Sequence, residues 1–170
     1  MHKTVKNIID LQENVNKKIK DLNYSNYAPQ IIAVSKTFSM DNILPLVEYG
    51  HKHFGENKVQ EALNKWSDIK IQNPNIKLHM IGRLQSNKVK QAVSIFDYIH
   101  SVDSIKLANK ISEEQKKQNK NIKIFLQVNI GGEIQKSGSN LNDIKKLALE
   151  CKNMNLNVLG LMCLPPINES

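Results

Sequence analysis

Gln30-Ile31-Ile32-Ala33-Val34-Ser35 is a continuous apolar run that closes on a polar turn, Lys36-Thr37. A run without polar alternation marks a strand buried on both faces, as in a parallel sheet covered by helices. Upstream, beyond a polar break at 23–29, Val5, Ile8, Leu11, Val15, Ile19 and Leu22 recur at three- and four-residue spacing. That spacing predicts an amphipathic helix over about residues 4–21. Downstream, Asp41 opens a short helix with Ile43, Leu44 and Val47 on one face, and Gly50 closes it.

The strand–helix unit then repeats. A short strand at 51–54 precedes a helix carrying Val59, Ala62, Leu63 and Trp66. Lys77 to Ile81 is the third strand, followed by a helix with Val89, Ala92 and Val93. Phe96 to Ser101 is the fourth, leading to a helix with Ile105, Ala108 and Ile111 that runs into the lysine-rich stretch 116–123. Ile122 to Ile130 is the fifth and strongest strand. Leu141, Ile144, Leu147, Ala148 and Cys151 line the next helix, and Asn157 to Cys163 is the sixth strand. Strands alternating with helices predict βαβ units, right-handed crossovers and a parallel sheet. Six in series make either a doubly wound sheet or a barrel. A complete (β/α)₈ barrel takes about 250 residues, so a barrel reading of these 170 residues leaves the last two strands unaccounted for.

Composition removes several classes. With 40% hydrophobic and 24% charged residues, the chain is neither disordered nor of low complexity. Its length fits one domain with a real core. No apolar run approaches the roughly 18–20 residues of a membrane span, and the N-terminal helix has no apolar signal core. Cys151 and Cys163, both in apolar surroundings, cannot make a disulfide framework, so a reducing cytosol is expected. The net charge of +8 invites a nucleic-acid reading. However, Arg83 is the only arginine among 24 basic residues, and the lysines are scattered. Solvated helix faces explain them, and no specific nucleic-acid site is expected.

Familiar motifs are missing. No Gly-x-Gly-x-x-Gly follows the first strand, no glycine loop precedes Lys36-Thr37, and neither Gly-x-Ser-x-Gly nor His-Glu-x-x-His occurs. His51 and His53 would point to one side of a strand and could share a metal. Without a carboxylate or cysteine partner nearby, packed or solvated histidines are the plainer reading. What remains is polar residues at the C-terminal ends of strands: Lys36, then Gly55-Glu56-Asn57, then Gly82 to Lys88, then Ser101-Val102-Asp103, then Gln127-Val128-Asn129. In parallel α/β folds that edge is where ligands bind. A lysine there can become a nucleophilic amine able to form a Schiff base with a carbonyl or with pyridoxal phosphate. A lysine snorkelling at a strand end is the bland alternative.

Seven ordered blocks carry a resemblance. They are Ala33-Val34-Ser35-Lys36-Thr37, the run from Phe54 to Glu61 (FGENKVQE), the run from His79 to Lys88 (HMIGRLQSNK), His100-Ser101-Val102-Asp103, Gln127-Val128-Asn129-Ile130, Lys136-Ser137-Gly138 and Gly160-Leu161-Met162. Together, across residues 5–166, they are similar to the signature blocks of the pyridoxal phosphate homeostasis proteins, the YggS/PROSC family. The resemblance implies one domain over residues 1–170, a TIM-type barrel of the alanine-racemase N-terminal type with six of its eight strands present. It also implies a cytoplasmic carrier of pyridoxal 5'-phosphate that supplies PLP-dependent apoenzymes without committed catalysis.

By resemblance, Lys36 is the Schiff-base lysine, Asn57 and His79 lie around the cofactor ring, and Met162 packs nearby. Lys136 matches a lysine at the barrel mouth that handles the cofactor secondarily. Plainer roles stand beside these: a helix cap for Asn57 and for Ser86-Asn87-Lys88, and barrel core for Met162. Two functions compete with the carrier reading. One is a racemase or decarboxylase of the same fold type, which would need a second acid/base group from a further domain. The other is a basic nucleic-acid-binding domain.

The chain departs from the family pattern twice. Phe38 stands where a second lysine is frequent. The family's last two strands, with their phosphate-holding loops and an arginine near the pyridine nitrogen, have no counterpart here. Gly131-Gly132 and Ser137-Gly138-Ser139 are weak stand-ins for a phosphate loop and read more simply as turns. Open edges at the first and sixth strands, self-association through them, and weakened cofactor binding are the corresponding expectations.

Overall fold

The computed structural model describes residues 1–24, 26–131 and 137–165. Helix α1 (Lys3–Asp21) starts at His2, whose ring accepts the Thr4 N–H. It ends with Lys18 and Lys20 at its negative pole and Asn23 in the left-handed conformation. Five βα units and a final strand follow: β1 (Ala33–Val34), α2 (Met40–Glu48), β2 (His53–Glu56), α3 (Val59–Gln72), β3 (Lys77–Met80), α4 (Val89–Ile95), β4 (Tyr98–Val102), α5 (Ile105–Lys117), β5 (Lys123–Val128), α6 (Ile144–Asn153) and β6 (Asn157–Cys163). The strands form one parallel sheet in the order β1-β2-β3-β4-β5-β6. The parallel reading of the sequence therefore holds, and of the two orders left open the sequential one of a barrel is found.

Strand alternation divides the sheet into two faces. Phe54, Leu78, Met80, Ile99, Ile124 and Leu126 are buried in a common core with Trp66, Val89, Val93, Ile111, Leu147 and Cys151 of the helices. The other face carries His53, His79, Tyr98, His100 and Phe125, which pack ring against ring. No pairing joins β1 to β6 among the described residues, so both are edges.

That edge position corrects the reading of the first strand. Only Ala33 and Val34 pair, with Phe54 and Gly55, and Val34 is 46% exposed. Of the four apolar residues Ile31 to Val34, none is fully buried, so the strand is not covered on both faces as the run suggested. Leu161 on β6, the other edge strand, is 63% exposed although its register partner Leu126 is in the core. Two further expectations are corrected. Cys163 is exposed whereas Cys151 is buried, and Leu141 precedes α6 and is exposed rather than lining it.

Candidate functional site

The sheet gathers the C-terminal ends of its strands at one mouth. Lys36 and Asn57 each stand two residues beyond the register pair Val34–Gly55, on neighbouring strands. The turn begins at Ser35, which is buried; its N–H donates to the Gly55 carbonyl at 2.9 Å and its hydroxyl to Glu56 Oε1 at 2.8 Å. Lys36 itself is exposed. Glu56 points to the helical side and is fully buried. Its Oε1 also accepts the Trp66 indole N–H at 3.0 Å, and Lys65 Nζ lies 2.8 Å away.

Asn57 is not the helix cap that one reading made it. The residue preceding α3 is Lys58, and no side chain caps the helix there. Instead Asn57 Oδ1 is buried and has no hydrogen-bond partner among the described residues. Gly82, at the end of β3, lies directly on it: a Cβ at Gly82 would stand 2.4 Å from the Asn57 carbonyl oxygen. Only glycine permits that approach. Ser86-Asn87-Lys88 forms a 3₁₀ turn running into α4 and likewise provides no side-chain cap.

Across the mouth, a cleft of about 250 Å³ is lined by Gly82, Arg83, Gln127, Asn129, Ser137 and Met162, among others. Met162 is thus at the rim of the cleft and not in the helix-facing core. Ser137-Gly138-Ser139 lies along the end of β5: the Ser139 N–H donates to Gln127 O, the Asn129 N–H to Ser139 O, and Gln127 Nε2 to Ser137 O. Gly138, at φ 132°, would place a Cβ 2.7 Å from Asn129 N, so this segment too depends on glycine.

His79 sits deeper. It is in register with Gly55, one pleat repeat below Asn57, and is 4% exposed. Its ring stacks on Tyr98 at 4.2 Å. Its Nε2 is 2.9 Å from His53 Nδ1, and its Nδ1 is 2.9 Å from His100 Nε2. Such a chain requires each imidazole to donate at one nitrogen or accept at the other, which neutral rings do. Burial, then the neighbouring His100 and His53, push His79 down to about 3; burial pushes His100 down to about 4. His53 is lowered by burial and then by His51 and Lys77.

The shared-metal reading of His51 and His53 gives way to this arrangement. His51 Nε2 bonds the His53 carbonyl at 2.8 Å, while the His53 ring turns to His79. Among the described residues no group of three or more His, Cys, Asp or Glu is arranged to hold a metal ion.

The structure therefore places Lys36, Asn57 and Met162 at the mouth, with Asn57 joined to the cleft through Gly82, and puts His79 a layer beneath. Lys136 lies outside the described residues. Sequence reasoning missed the histidine chain and the Glu56–Trp66–Lys65 network. A signal existed for the first: histidines recur at the inward positions of three consecutive strands.

Residues 8–169 match the family described as alanine racemase, N-terminal domain. Two pyridoxal phosphate homeostasis proteins are similar over nearly the whole chain. That of Pasteurella multocida is 32% identical over 160 residues, 94% of this chain and 69% of the relative. That of Buchnera aphidicola subsp. Schizaphis graminum is 34% identical over 164 residues, 96% of this chain and 71% of the relative. PipY of Synechococcus elongatus PCC7942, solved with PLP bound, superposes with a TM-score of 0.75 at 31% identity, covering 91% of this chain and 72% of that one. The chain belongs to the pyridoxal phosphate homeostasis protein family. Its six parallel strands are those of the alanine racemase N-terminal barrel. No helix among the described residues is long and apolar enough to cross a membrane.

Proposed function

We propose that residues 1–170 act as one domain that carries pyridoxal 5'-phosphate on Lys36, holding the cofactor for release to apoenzymes with no committed reaction on a second substrate. One observation carries this reading: Lys36, just beyond the C-terminal end of β1, is level along the sheet with Asn57, whose buried Oδ1 lacks a partner among the described residues. A buried polar atom without a partner is costly and points to a missing ligand group. The cofactor supplies an aldehyde that condenses reversibly with an amine, releasing water.

The chain's own residues would do the rest. Lys36 supplies the amine, and its exposure lets cofactor enter and leave. Asn57 offers its amide to a polar group of the ring, and Met162 provides an apolar wall. Neutral His79 braces the layer below without adding charge. Lys136 would serve as a second amine. PLP bound to PipY supports the reading through 31% identity. The free thiols Cys151 and Cys163 agree with a reducing cytosol.

The test is borohydride reduction in the presence of PLP, with the modified lysine located by mass spectrometry. Wild-type protein is expected to be labelled at Lys36. Lys36→Ala and Lys36→Arg are each expected to lose labelling by at least about tenfold, since guanidinium keeps the charge but not the nucleophilic amine. Undiminished labelling of Lys36→Ala would move the assignment to Lys136 or another lysine.

Among the described residues the outer edges of β1 and β6 have no strand partner, which leaves backbone N–H and C=O groups available for pairing. The 170-residue polypeptide is accordingly expected to self-associate through them. Sedimentation equilibrium showing a monomer at all concentrations would contradict this.

A further inference from the structure

Helix α3 grips the peptide units on either side of Lys36. Lys65 Nζ donates to the Ser35 carbonyl at 2.7 Å, and the Thr37 N–H donates to Glu61 Oε1 at 2.8 Å. The two side chains are one helical turn apart and bridge each other at 3.1 Å. Lys65 also reaches Glu56 Oε1, the atom that accepts the Ser35 hydroxyl. Thr37 has φ 66°, a left-handed conformation that a β-branched residue adopts only under constraint. The Thr37 amide is also the main cause that holds the Glu61 carboxyl below its ordinary range.

A Glu–Lys pair four residues apart on a helix is ordinarily a solvent-facing bridge of little consequence. Here both members turn their hydrogen bonds onto the backbone of another element. That element is the one that presents Lys36, whose long flexible stem leaves its direction to be set by its backbone.

We propose that Glu61 and Lys65 are positioning residues for Lys36: a carboxylate on the amide after it and an ammonium on the carbonyl before it lock the turn and aim the lysine into the mouth. This rests on the reading of Lys36 as the cofactor lysine. Neither residue touches the cofactor; both act through the Ser35-Lys36-Thr37 backbone. Fixing the anchor's backbone reduces the ordering that cofactor capture would otherwise require.

Glu61→Ala removes the acceptor for the Thr37 N–H yet leaves the Lys65–Glu56 pair in place, so it is the variant expected to fold. Glu61→Gln restores an acceptor oxygen without the charge. Two measurements on the full chain are needed: amide hydrogen exchange without cofactor, and borohydride-trapped PLP at Lys36 as a function of PLP concentration. In Glu61→Ala, exchange at Thr37 is expected to accelerate while the amides of β3 to β5 keep their protection. The half-saturating PLP concentration should rise about tenfold. Glu61→Gln is expected to return both toward wild type. Lys65→Met combined with Glu56→Gln, which leaves no unpaired charge in the core, should raise the same concentration.

Unchanged half-saturation in Glu61→Ala despite faster Thr37 exchange would overturn the proposal. So would faster exchange throughout β3 to β5, which would reduce Glu61 to a general structural role. Wild-type labelling at a lysine other than Lys36 would refute the underlying reading and the proposal with it. That outcome is told apart from the first two because it needs no variant.

Discussion

Trp66→Ala is expected to destabilise the protein by about 4 kcal/mol. The indole is fully buried, lies 4.7 Å from the Phe54 ring, and donates its N–H to Glu56 Oε1. Truncation leaves a cavity between α3 and β2, and it also removes a donor from a carboxylate that is itself fully buried. Glu56 Oε2 already lacks a partner among the described residues, so the loss falls on a group with little to replace it. Trp66→Phe keeps most of the packing and loses the donor, for which about 1–2 kcal/mol is expected. Urea unfolding curves measure both. A Trp66→Ala cost below about 1 kcal/mol would show that the site collapses around the deletion.

Acid is expected to destabilise this protein already between pH 6.5 and 4.5, through the desolvated histidines His79 and His100. His79 and His100 have folded values of about 3 and about 4 against an ordinary 6.5. Between those values the unfolded chain binds protons that the folded chain refuses. Stability is therefore complete above pH 6.5 and falls as pH drops toward 4. By pH 5 the two rings together should cost about 3 kcal/mol, after allowing for solvent screening at the less buried His100. That is a large share of a typical domain's roughly 5–15 kcal/mol.

The groups around the chain reinforce the direction. His53 is lowered as well, and Lys123 and Lys70 act on His79 with the same sign. Urea unfolding at pH 7, 6, 5 and 4.5 tests it, because carboxylates of ordinary value titrate mostly below that range. A flat profile between pH 7 and 4.5 would mean that the histidines are hydrated. His100→Phe should reduce the slope, since His100 stacks on Phe125 at 4.4 Å and a phenyl ring can occupy that stack without titrating.

The alternation of apolar runs with 3.6-period segments made the parallel direction of the strands readable, because parallel pairing obliges a crossover between strands, but their spatial order, doubly wound or barrel, was not fixed by it. The extent of β1 was not readable. Whether an apolar run is flanked on one side or both depends on which other strands are present, not on the run itself. Lys36, Asn57 and Met162 were readable as mouth residues because each follows or closes a strand. The depth of His79 was not, since it follows from a register with Gly55 that pattern cannot supply. Glu61 and Lys65 illustrate a further limit. Their spacing on α3 fits an ordinary surface bridge, and only the approach of the Ser35-Lys36-Thr37 turn gives them other partners.

Among the described residues, each strand of the sheet pairs only with strands adjacent in sequence. Every such pairing closes a loop of one βα unit, from His79 with Tyr98 at the short end to Lys123 with Asn157 at the long end. Loop-closure entropy rises slowly with length but must be met before a pairing rewards it. Assembly can thus begin at any interior pair and spread outward one unit at a time, as in repeat proteins. The interior strands, β2 to β5, each paired on both sides, are the natural start. β1, with only two paired residues, depends instead on helix α3, whose Glu61 and Lys65 tie the Lys36 turn to the interior of the fold.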